Sequence, residues 1–265
     1  MMFSMMGSWL GRARQSVLVV AAAGALVSGC ASRDQDVWDP IELPNRFIFS
    51  INQAVDVIAL RPLAVAYRDL VPEPAQRGIN NALHNLGEPV TAINEVLQGD
   101  PGRALTTLAR FIVNSTIGIG GLFDVASAMG LSKTKEDMGK TIGMWAAAPP
   151  EDGGPYLVLP GMGPSNARDA AGMVFDNAVD PFNILAYALN WDRLLVLGPR
   201  NAARAVDARS RTLVALDDIE KNSVDFYAAV RSAYTQQRGE LIRRKREKTD
   251  TRGELERRED LALVR

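Results

Sequence analysis

The 265-residue chain contains one cysteine, Cys30, and one histidine, His84. Thiol and imidazole side chains are the usual candidates for nucleophiles, general bases and metal ligands. One of each is too few for a disulfide framework or a zinc site within the chain. His84 lies on a predicted helix and no nucleophile motif accompanies it, so a catalytic base is not indicated. The chemistry left to the single thiol is covalent modification.

An export signal precedes this cysteine. Arg12 and Arg14 lie before the apolar run "VLVVAAAGALV" at 17–27. A charged start followed by a short apolar stretch is typical of a secretory signal, and the run is too short for a membrane-spanning helix. We therefore predict that residues 1–29 are a lipoprotein signal peptide.

The residues around Cys30 resemble the bacterial lipobox, since "VSG" precedes the cysteine. In a lipobox the thiol is acylated and the peptide is cut before it, which predicts Cys30 as the lipid-attachment site and 30–37 as a lipidated tether. Several acyl chains would hold the protein stably at a membrane. Ala31 follows the cysteine where the enteric sorting rule has aspartate for the inner membrane, and by resemblance to that rule the protein is expected at the outer membrane. The alternative is a buried cysteine beside an ordinary cleavage site.

Other fragments that look catalytic fail on spacing. "GKT" at 139–141 has Thr134 where a P-loop needs its first glycine, and "GIGG" follows a helical pattern instead of a strand. Asp137, Glu151 and Asp152 could form a carboxylate pair for acid–base chemistry, but acidic loops are usually only solvated. A net charge of −1 gives no reason to expect nucleic acid. The sequence predicts no enzyme, no metal and no cofactor.

Helical periodicity dominates the rest of the chain and predicts the all-α class. Apolar residues recur at three-four spacing from Asn45 until Pro62, which should break or kink the helix. Asp100 and Pro101 predict the start of another helix. Glycines at 118–121 predict a turn or a close backbone approach, and the proline-rich and glycine-rich segment 146–164 predicts a loop or hairpin around "PYLVLP".

The chain should form one domain, residues 38–234, followed by a tail. Residues 235–265 are rich in mixed charge and poor in apolar residues, which predicts a mobile segment or a solvated helix. No run after the signal has the roughly 18 uncharged apolar residues of a spanning helix. The body is therefore not expected to cross a bilayer in the ordinary way.

Six sequence blocks occur in a fixed order: "WDPIELPNR" at 38–46, "RPLAVAYRDLVP" at 61–72, "LQGDP" at 97–101, "RFIVNSTIGIGGLFDVA" at 110–126, "GPYLVLP" at 154–160 and "RD" at 168–169. In order and spacing these blocks resemble the MlaA/VacJ family of outer-membrane lipoproteins. The link "AAAPPEDG" at 146–153 departs from the family, because it is longer and more acidic than usual.

The resemblance implies a ring-like single domain of amphipathic helices on the periplasmic face of the outer membrane, in its inner leaflet, with a hairpin loop near a central channel. It further implies that phospholipids misplaced in the outer leaflet pass through the channel to a soluble periplasmic carrier like MlaC. Trimeric porins are the implied neighbours. No covalent chemistry is implied.

The resemblance also implies candidate site residues. The hairpin would supply Gly153, Gly154, Tyr156, Leu157 and Leu159 beside the channel. In the simpler interpretation, the two glycines only make turns.

Arg46 and Arg61 are candidate phosphate contacts, although each lies near a predicted helix end and could instead pair with a local carboxylate. A competing function is an adaptor lipoprotein that scaffolds porins without passing lipid. A lipid hydrolase using His84 ranks behind both.

Overall fold

The computed structural model describes residues 37–263, which form helices and one antiparallel hairpin. The signal peptide, Cys30 and most of the predicted tether lie outside this range. The elements, in chain order, are α1 (Glu42–Val55), a π-helical turn (Asp56–Leu60), α2 (Arg61–Leu70), α3 (Glu73–Asn85), α4 (Glu88–Leu97), α5 (Pro101–Thr116), α6 (Val125–Ala128), α7 (Met138–Trp145), β1 (Tyr156–Leu159), β2 (Gly163–Asn166), α8 (Ala167–Val179), α9 (Pro181–Ala188), α10 (Arg193–Asn222) and α11 (Phe226–Leu263). The predicted mainly helical single domain is confirmed.

The break expected at Pro62 is instead a local change of helix type. The helix continues from α1 into α2 through the π-helical turn, where Arg61 N–H donates to the Asp56 carbonyl. Proline has no N–H for the ordinary helical bond, and the wider turn before it accommodates that loss. Together, residues 42–70 make a helical stretch of 29 residues that is long and apolar enough to cross a membrane by length and composition.

Short polar residues start the helices that follow. Asp100 accepts a hydrogen bond from Arg103 N at 3.2 Å, as its position before Pro101 predicts. Asp137, Asn166 and Asp180 cap α7, α8 and α9 in the same way. Each cap satisfies a backbone donor that the first helical turn leaves unpaired. The helix ends, and with them the loops between helices, are therefore fixed by local sequence.

The helices close a circuit around a cavity. Contacts run from α3 to α5, α4, α7, α8, α9 and α10, and α10 returns to α3. A cavity of about 460 Å³ is bordered by residues of α3, α4, α8 and α10 and by the segment 135–137. This circuit gives the ring-like arrangement that the sequence led us to expect.

The interior of the α3–α7 region is polar. Arg110, Glu88, Glu95 and Asn94 are among the largest fully buried side chains, whereas Leu105 on the same helix as Arg110 is 69% exposed. Water-soluble domains usually bury apolar side chains and pair or expose charged ones. This region has the reverse distribution, polar inside and apolar outside.

The hairpin and α11 enclose an ordinary apolar cluster. Tyr156, Val158 and Tyr227 are buried together, and Phe49 and Tyr234 pack against them. The rings meet edge to face, with centroids 5.4 Å apart for Phe49 and Tyr227. We refer to these five residues as the aromatic cluster.

Of the two alternatives predicted for residues 235–265, a mobile segment or a solvated helix, the structure has a helix up to Leu263, and the first part of it packs against the body. α11 continues without a break, and Ile242 is fully buried against Gly143 of α7. Arg246 donates to the carbonyl oxygens of Ala146 and Ala148 at 2.8 and 3.0 Å, which ties the acidic link to α11. The sequence pattern missed this contact because a single apolar residue among charges makes no stripe.

Candidate functional site

The hairpin predicted to lie beside a channel packs against the helical body. Tyr156 is 1% exposed and meets the Tyr227 ring at a centroid distance of 6.0 Å. Leu157 and Leu159 alternate with it on the other strand face and are half-buried. Tyr156 is thus a core residue, while the two leucines remain candidates for an apolar contact.

Two asparagines of α1 hold the free edge of β1. Asn45 donates to the Tyr156 carbonyl at 2.9 Å and accepts from Val158 N at 2.9 Å. Where β1 ends and the hairpin turn begins, Asn52 donates to the Leu159 carbonyl at 2.9 Å and accepts from Gly161 N at 2.8 Å. The two side-chain amides imitate a neighbouring strand, so the hairpin is fastened to α1 by four hydrogen bonds.

The two hairpin glycines meet local steric requirements. A Cβ atom on Gly153 would lie 2.2 Å from Asn166 Nδ2, which leaves no room for a side chain. Gly154 has φ of +78°, a left-handed conformation that favours glycine. Both positions therefore fit the simpler interpretation in which these glycines make the turn into β1.

Arg46 and Arg61, the candidate phosphate contacts, both have carboxylate partners. Arg46 pairs with Glu42 at 2.7 Å and with Asp225 at 2.5 Å, and Arg61 pairs with Asp217 at 2.7 Å. The structure brings neither residue to the border of the cavity. The surroundings of both arginines therefore fit the alternative interpretation, in which each pairs with a local carboxylate.

The cavity inside the helical circuit is the strongest candidate site. Its volume of about 460 Å³ falls in the range of small-molecule sites, roughly 300–1,000 Å³. Charged side chains border it from several helices, among them Arg200, Arg204 and Arg211 of α10 and Asp176 and Asp180. A site of this size and polarity suits a charged group of a small molecule or lipid.

Carboxylates neutralise two of the three α10 arginines. Arg200 pairs with Asp180 at 2.8 Å, and Arg211 pairs with Asp207 at 3.0 Å. Burial would raise the pKa of Asp207, but hydrogen bonds from Arg211 and Asn80 outweigh it and hold that pKa below its usual value. Arg204 has no carboxylate within ion-pair distance among the described residues, and it donates only to the Leu83 carbonyl, at 3.4 Å.

His84 also borders the cavity, but its neighbours do not form a catalytic group. Its Nδ1 atom lies 3.3 Å from Glu88 Oε1 and has no hydrogen-bond partner within residues 37–263. Glu88 is in turn bonded by Arg110 Nε at 3.1 Å. A serine–histidine or cysteine–histidine arrangement needs a nucleophile bonded to the imidazole. Among the described residues, His84 belongs instead to the polar interior.

The outside of the same circuit is apolar. Leu43 is 83% exposed, and Ile58 is 78% exposed. We call these large exposed side chains the apolar exterior: Leu43, Phe47, Ile58, Leu63, Leu105, Ile112, Ile117 and Phe123. Large exposed apolar side chains in such number are typical of a surface that contacts a protein or a membrane.

Two charged residues in the middle of the stretch 42–70, Asp56 and Arg61, pair with α10. Arg209 of α10 donates to both carboxylate oxygens of Asp56, at 2.8 and 2.9 Å, and Arg61 pairs with α10 through Asp217. The stretch 42–70 has no uncharged apolar run of about 18 residues, as predicted from the sequence, yet with its two interruptions it is long and apolar enough to span a membrane by length and composition. The ion pairs of Asp56 and Arg61 with α10 make one face of the helical stretch 42–70 polar, and the opposite face is apolar.

Sequence reasoning missed most of the residues around the cavity. They come from four separate parts of the chain, and each is an ordinary polar residue in its own helix. His84 and Asp137 attracted attention as possible catalytic groups, whereas Arg200 and Arg204 fall in no motif. The one local signal is on α10, where polar residues at 200, 204, 207 and 211 recur every three or four positions and so share one helix face.

Comparison with known proteins gives a consistent picture. The family model of the MlaA lipoproteins matches residues 37–241. An uncharacterized protein of Rickettsia bellii is 40% identical over 213 residues, which cover 80% of this chain and 78% of the relative. The intermembrane phospholipid transport system lipoprotein MlaA of Escherichia coli is 33% identical over 224 residues, covering 82% of this chain and 84% of the relative.

A solved structure has the same fold. It was described under "Structural basis for maintenance of bacterial outer membrane lipid asymmetry" and superposes with a TM-score of 0.64 at 35% sequence identity. The match covers 77% of this chain and 98% of that chain. Both the sequence and the helical arrangement are therefore shared along most of the described residues.

Proposed function

Because the chain belongs to the MlaA lipoprotein family, we propose that it is a lipid-anchored component of a phospholipid transport system. In this role it removes misplaced phospholipids from the outer leaflet of the outer membrane and passes them to a soluble periplasmic carrier. The result is the maintenance of lipid asymmetry. The chain performs no covalent step.

The observation that carries this proposal is the closed circuit of helices, polar around its cavity and apolar outside. A phospholipid in transit needs a polar path for its headgroup, since an unpaired charge in hydrocarbon is strongly unfavourable. Its acyl chains need continuous apolar surroundings. A ring with these two surfaces meets both needs, because the headgroup can cross the cavity while the chains follow apolar surface.

The apolar exterior would seat the ring in the inner leaflet of the outer membrane. The acylated Cys30 would hold the chain there from its N-terminal side, which adds several buried acyl chains to the helical contact. The charged outer face of α11 would remain in the periplasm. From that side a carrier like MlaC could accept the lipid, and trimeric porins would lie against the apolar exterior within the membrane.

The test compares two tryptophan substitutions on α10. Ala208 is exposed and borders the cavity, whereas Ala202 is exposed on the same helix and does not border it. In a strain that lacks the gene, outer-leaflet phospholipid is measured with an externally added phospholipase. We expect Ala202→Trp to restore the wild-type level and Ala208→Trp, which fills the cavity, to leave phospholipid in the outer leaflet.

The same strains separate transport from scaffolding. An adaptor that only holds porins together would tolerate a filled cavity, so equal complementation by both variants would favour the adaptor. Co-purification of porin with each variant shows that assembly is intact. If deletion of the gene leaves outer-leaflet phospholipid at the wild-type level, the transport proposal fails altogether.

A further inference from the structure

Two cations on the border of the cavity, Lys135 and Arg204, have no carboxylate within ion-pair distance among the described residues, and of the two only Arg204 is half-buried. Arg200 is engaged by Asp180 at 2.8 Å and donates to the Leu86 carbonyl at 3.2 Å. Arg204 lies one helical turn further along α10 and also borders the cavity. Its hydrogen bond to the Leu83 carbonyl, at 3.4 Å, is long and uncharged.

The surroundings of Arg204 disfavour its charge. Burial lowers the pKa of its guanidinium, and the positive charge of Arg200 lowers it further, while Asp180 raises it only in part. Arg200 itself keeps a buried Nε without an acceptor among the described residues. On this part of α10 two neighbouring guanidiniums share one carboxylate, Asp180, although the border of the cavity as a whole carries five carboxylates.

We propose that Arg204 is the main contact of an anion site that takes the phosphate of a phospholipid headgroup passing through the cavity. The proposal rests on the transport function above and names the polar group that the ring recognises. It also moves the predicted phosphate contact from Arg46 and Arg61, whose charges are matched by carboxylates, to a residue whose charge is not.

The chemistry of arginine fits a phosphate better than the alternatives. A guanidinium presents parallel N–H donors that match two phosphate oxygens, and it stays charged even where burial lowers its pKa. A lipid phosphate would bring a negative charge to Arg204. The groups esterified to that phosphate would extend toward the apolar surface. Headgroups with different amines share this phosphate, so the contact would serve several lipid species.

Arg204 also lies at the C-terminal end of α3, where a cation stabilises the helix dipole. That structural role alone would make Arg204 a helix cap without a ligand. The two roles differ in what substitution changes. Loss of a helix cap lowers the stability of the protein. Loss of an anion contact instead lowers the affinity for phosphate-bearing molecules and removes the dependence of that affinity on salt.

The test measures binding of dihexanoylphosphatidylglycerol to the full-length lipidated protein in an uncharged detergent, by calorimetry. Arg204→Gln should weaken binding about tenfold or more, the effect of losing one charge-assisted contact, and Arg204→Lys should weaken it less. The matched control is Arg77→Gln on α3, because Arg77 is exposed and pairs only with Glu73 in the adjacent turn. That control should bind as the wild type does.

Two further probes identify what is bound. Dihexanoylglycerol, which lacks the phosphate, should not distinguish wild type from Arg204→Gln. Inorganic phosphate should compete with the lipid only weakly. If inorganic phosphate binds in an Arg204-dependent way while the phospholipid does not bind, the headgroup proposal is overturned in favour of a free-phosphate site.

The outcome in cells keeps this proposal separate from the proposed function. We expect Arg204→Gln to leave phospholipid in the outer leaflet although the variant folds and reaches the membrane. Wild-type clearance by Arg204→Gln, in a background where gene deletion abolishes clearance, would overturn the anion site and leave transport standing. Absence of a deletion phenotype would overturn transport itself.

Discussion

The protein has two interiors of opposite polarity. Around Arg110, the buried groups are charged and hydrogen-bonded: Arg110 donates to Glu88 at 3.1 Å and to Asp124 at 3.0 Å. Around Tyr156, most buried groups are aromatic rings and aliphatic side chains, and the one buried carboxylate beside them, Asp39, is bonded by Tyr227 and Arg231. The exteriors differ in the opposite sense, since Leu105 and Ile112 are exposed outside the first region, whereas α11 presents arginines and glutamates outside the second.

This inversion indicates that the two regions face different solvents. In water, buried apolar area supplies most of the driving force for folding, as the aromatic cluster illustrates. In a membrane that force is absent between helices, and close packing and internal polar contacts hold helices together. Five buried alanines on the helices allow such close packing: Ala64, Ala92, Ala104, Ala126 and Ala186.

The largest expected effect comes from breaking the polar interior. Replacing Arg110 by methionine leaves the buried Glu88 and the partly buried Asp124 without their cation. Breaking a buried ion pair from one side costs about 3–5 kcal/mol, so the free energy of unfolding in detergent should fall by that amount. Denaturant titration followed by circular dichroism measures it.

Two controls sharpen this result. Arg77→Met removes an exposed pair with Glu73 and should cost less than about 1 kcal/mol. Adding Glu88→Gln to Arg110→Met should recover part of the loss, because one of the two stranded charges is removed. Similar losses for Arg110→Met and Arg77→Met would mean that the polar interior is not a structural core.

The second prediction concerns the apolar side of the comparison. Ile242 is fully buried on α11, and its side chain fills the space left by Gly143. Ile242→Ala should lower the free energy of unfolding by about 3 kcal/mol through lost burial and a cavity. Leu241→Ala, one residue earlier and 43% exposed, should have a much smaller effect. Equal effects would restore the prediction of a mobile tail.

The third prediction tests close helix packing around the cavity. A Cβ on Gly172 of α8 would lie 2.3 Å from the Gly139 backbone nitrogen of α7, so the two helices cross in direct backbone contact. Alanine normally favours a helix over glycine, but Gly172→Ala should here destabilise by about 1–3 kcal/mol through overpacking.

Gly102→Ala serves as the matched change, because Gly102 lies in the helix α5 with no atom within 4 Å of the added Cβ. It should leave stability unchanged or raise it slightly. Thermal unfolding of both variants in the same detergent decides the matter. A higher unfolding temperature for the Gly172→Ala variant would show that α7 and α8 can move apart without loss of stability.

Local sequence accounts for the ends of helices but not for the polar interior. Asp100 and Pro101 predict the start of α5 because a cap acts within one turn of chain. α4 escaped prediction, since Glu88, Asn94 and Glu95 occupy the positions where a buried helix face usually has apolar residues. Burial of these groups depends on partners far along the chain, such as Arg110 and Asp176, which periodicity cannot reveal.

The candidate site was only partly predictable for the same reason. The hairpin was recognised from its short sequence block, yet its attachment to α1 through Asn45 and Asn52 depends on tertiary contact. Arg46 and Arg61 looked like phosphate contacts because sequence shows a charge and not its counter-charge. Arg204 looked ordinary, and only the positions of its neighbours show that no carboxylate within residues 37–263 with a described side chain forms an ion pair with it.

The smallest expected effect is a difference in pH response between the two interiors. Burial would raise the pKa of Asp124, but hydrogen bonds from Ser127 and Asn114 and the charge of Arg110 outweigh it and hold that pKa at about 2. The stabilisation is therefore complete above about pH 4 and is lost as the pH falls toward 2, with about 1 kcal/mol lost by pH 3. Asp124→Asn should remove this part of the acid sensitivity.

The aromatic cluster should respond in the opposite direction. Burial raises the pKa of Tyr156 and of Tyr227, with the nearby Asp39 carboxylate adding to the shift. A raised tyrosine pKa stabilises the fold below about pH 10 and loses that contribution above it. Tyr156→Phe should therefore reduce the alkaline loss of stability and leave the acid limb unchanged, whereas Asp124→Asn should do the reverse. Unfolding measured from pH 3 to pH 11 would contradict the two-interior comparison if either substitution altered both limbs equally.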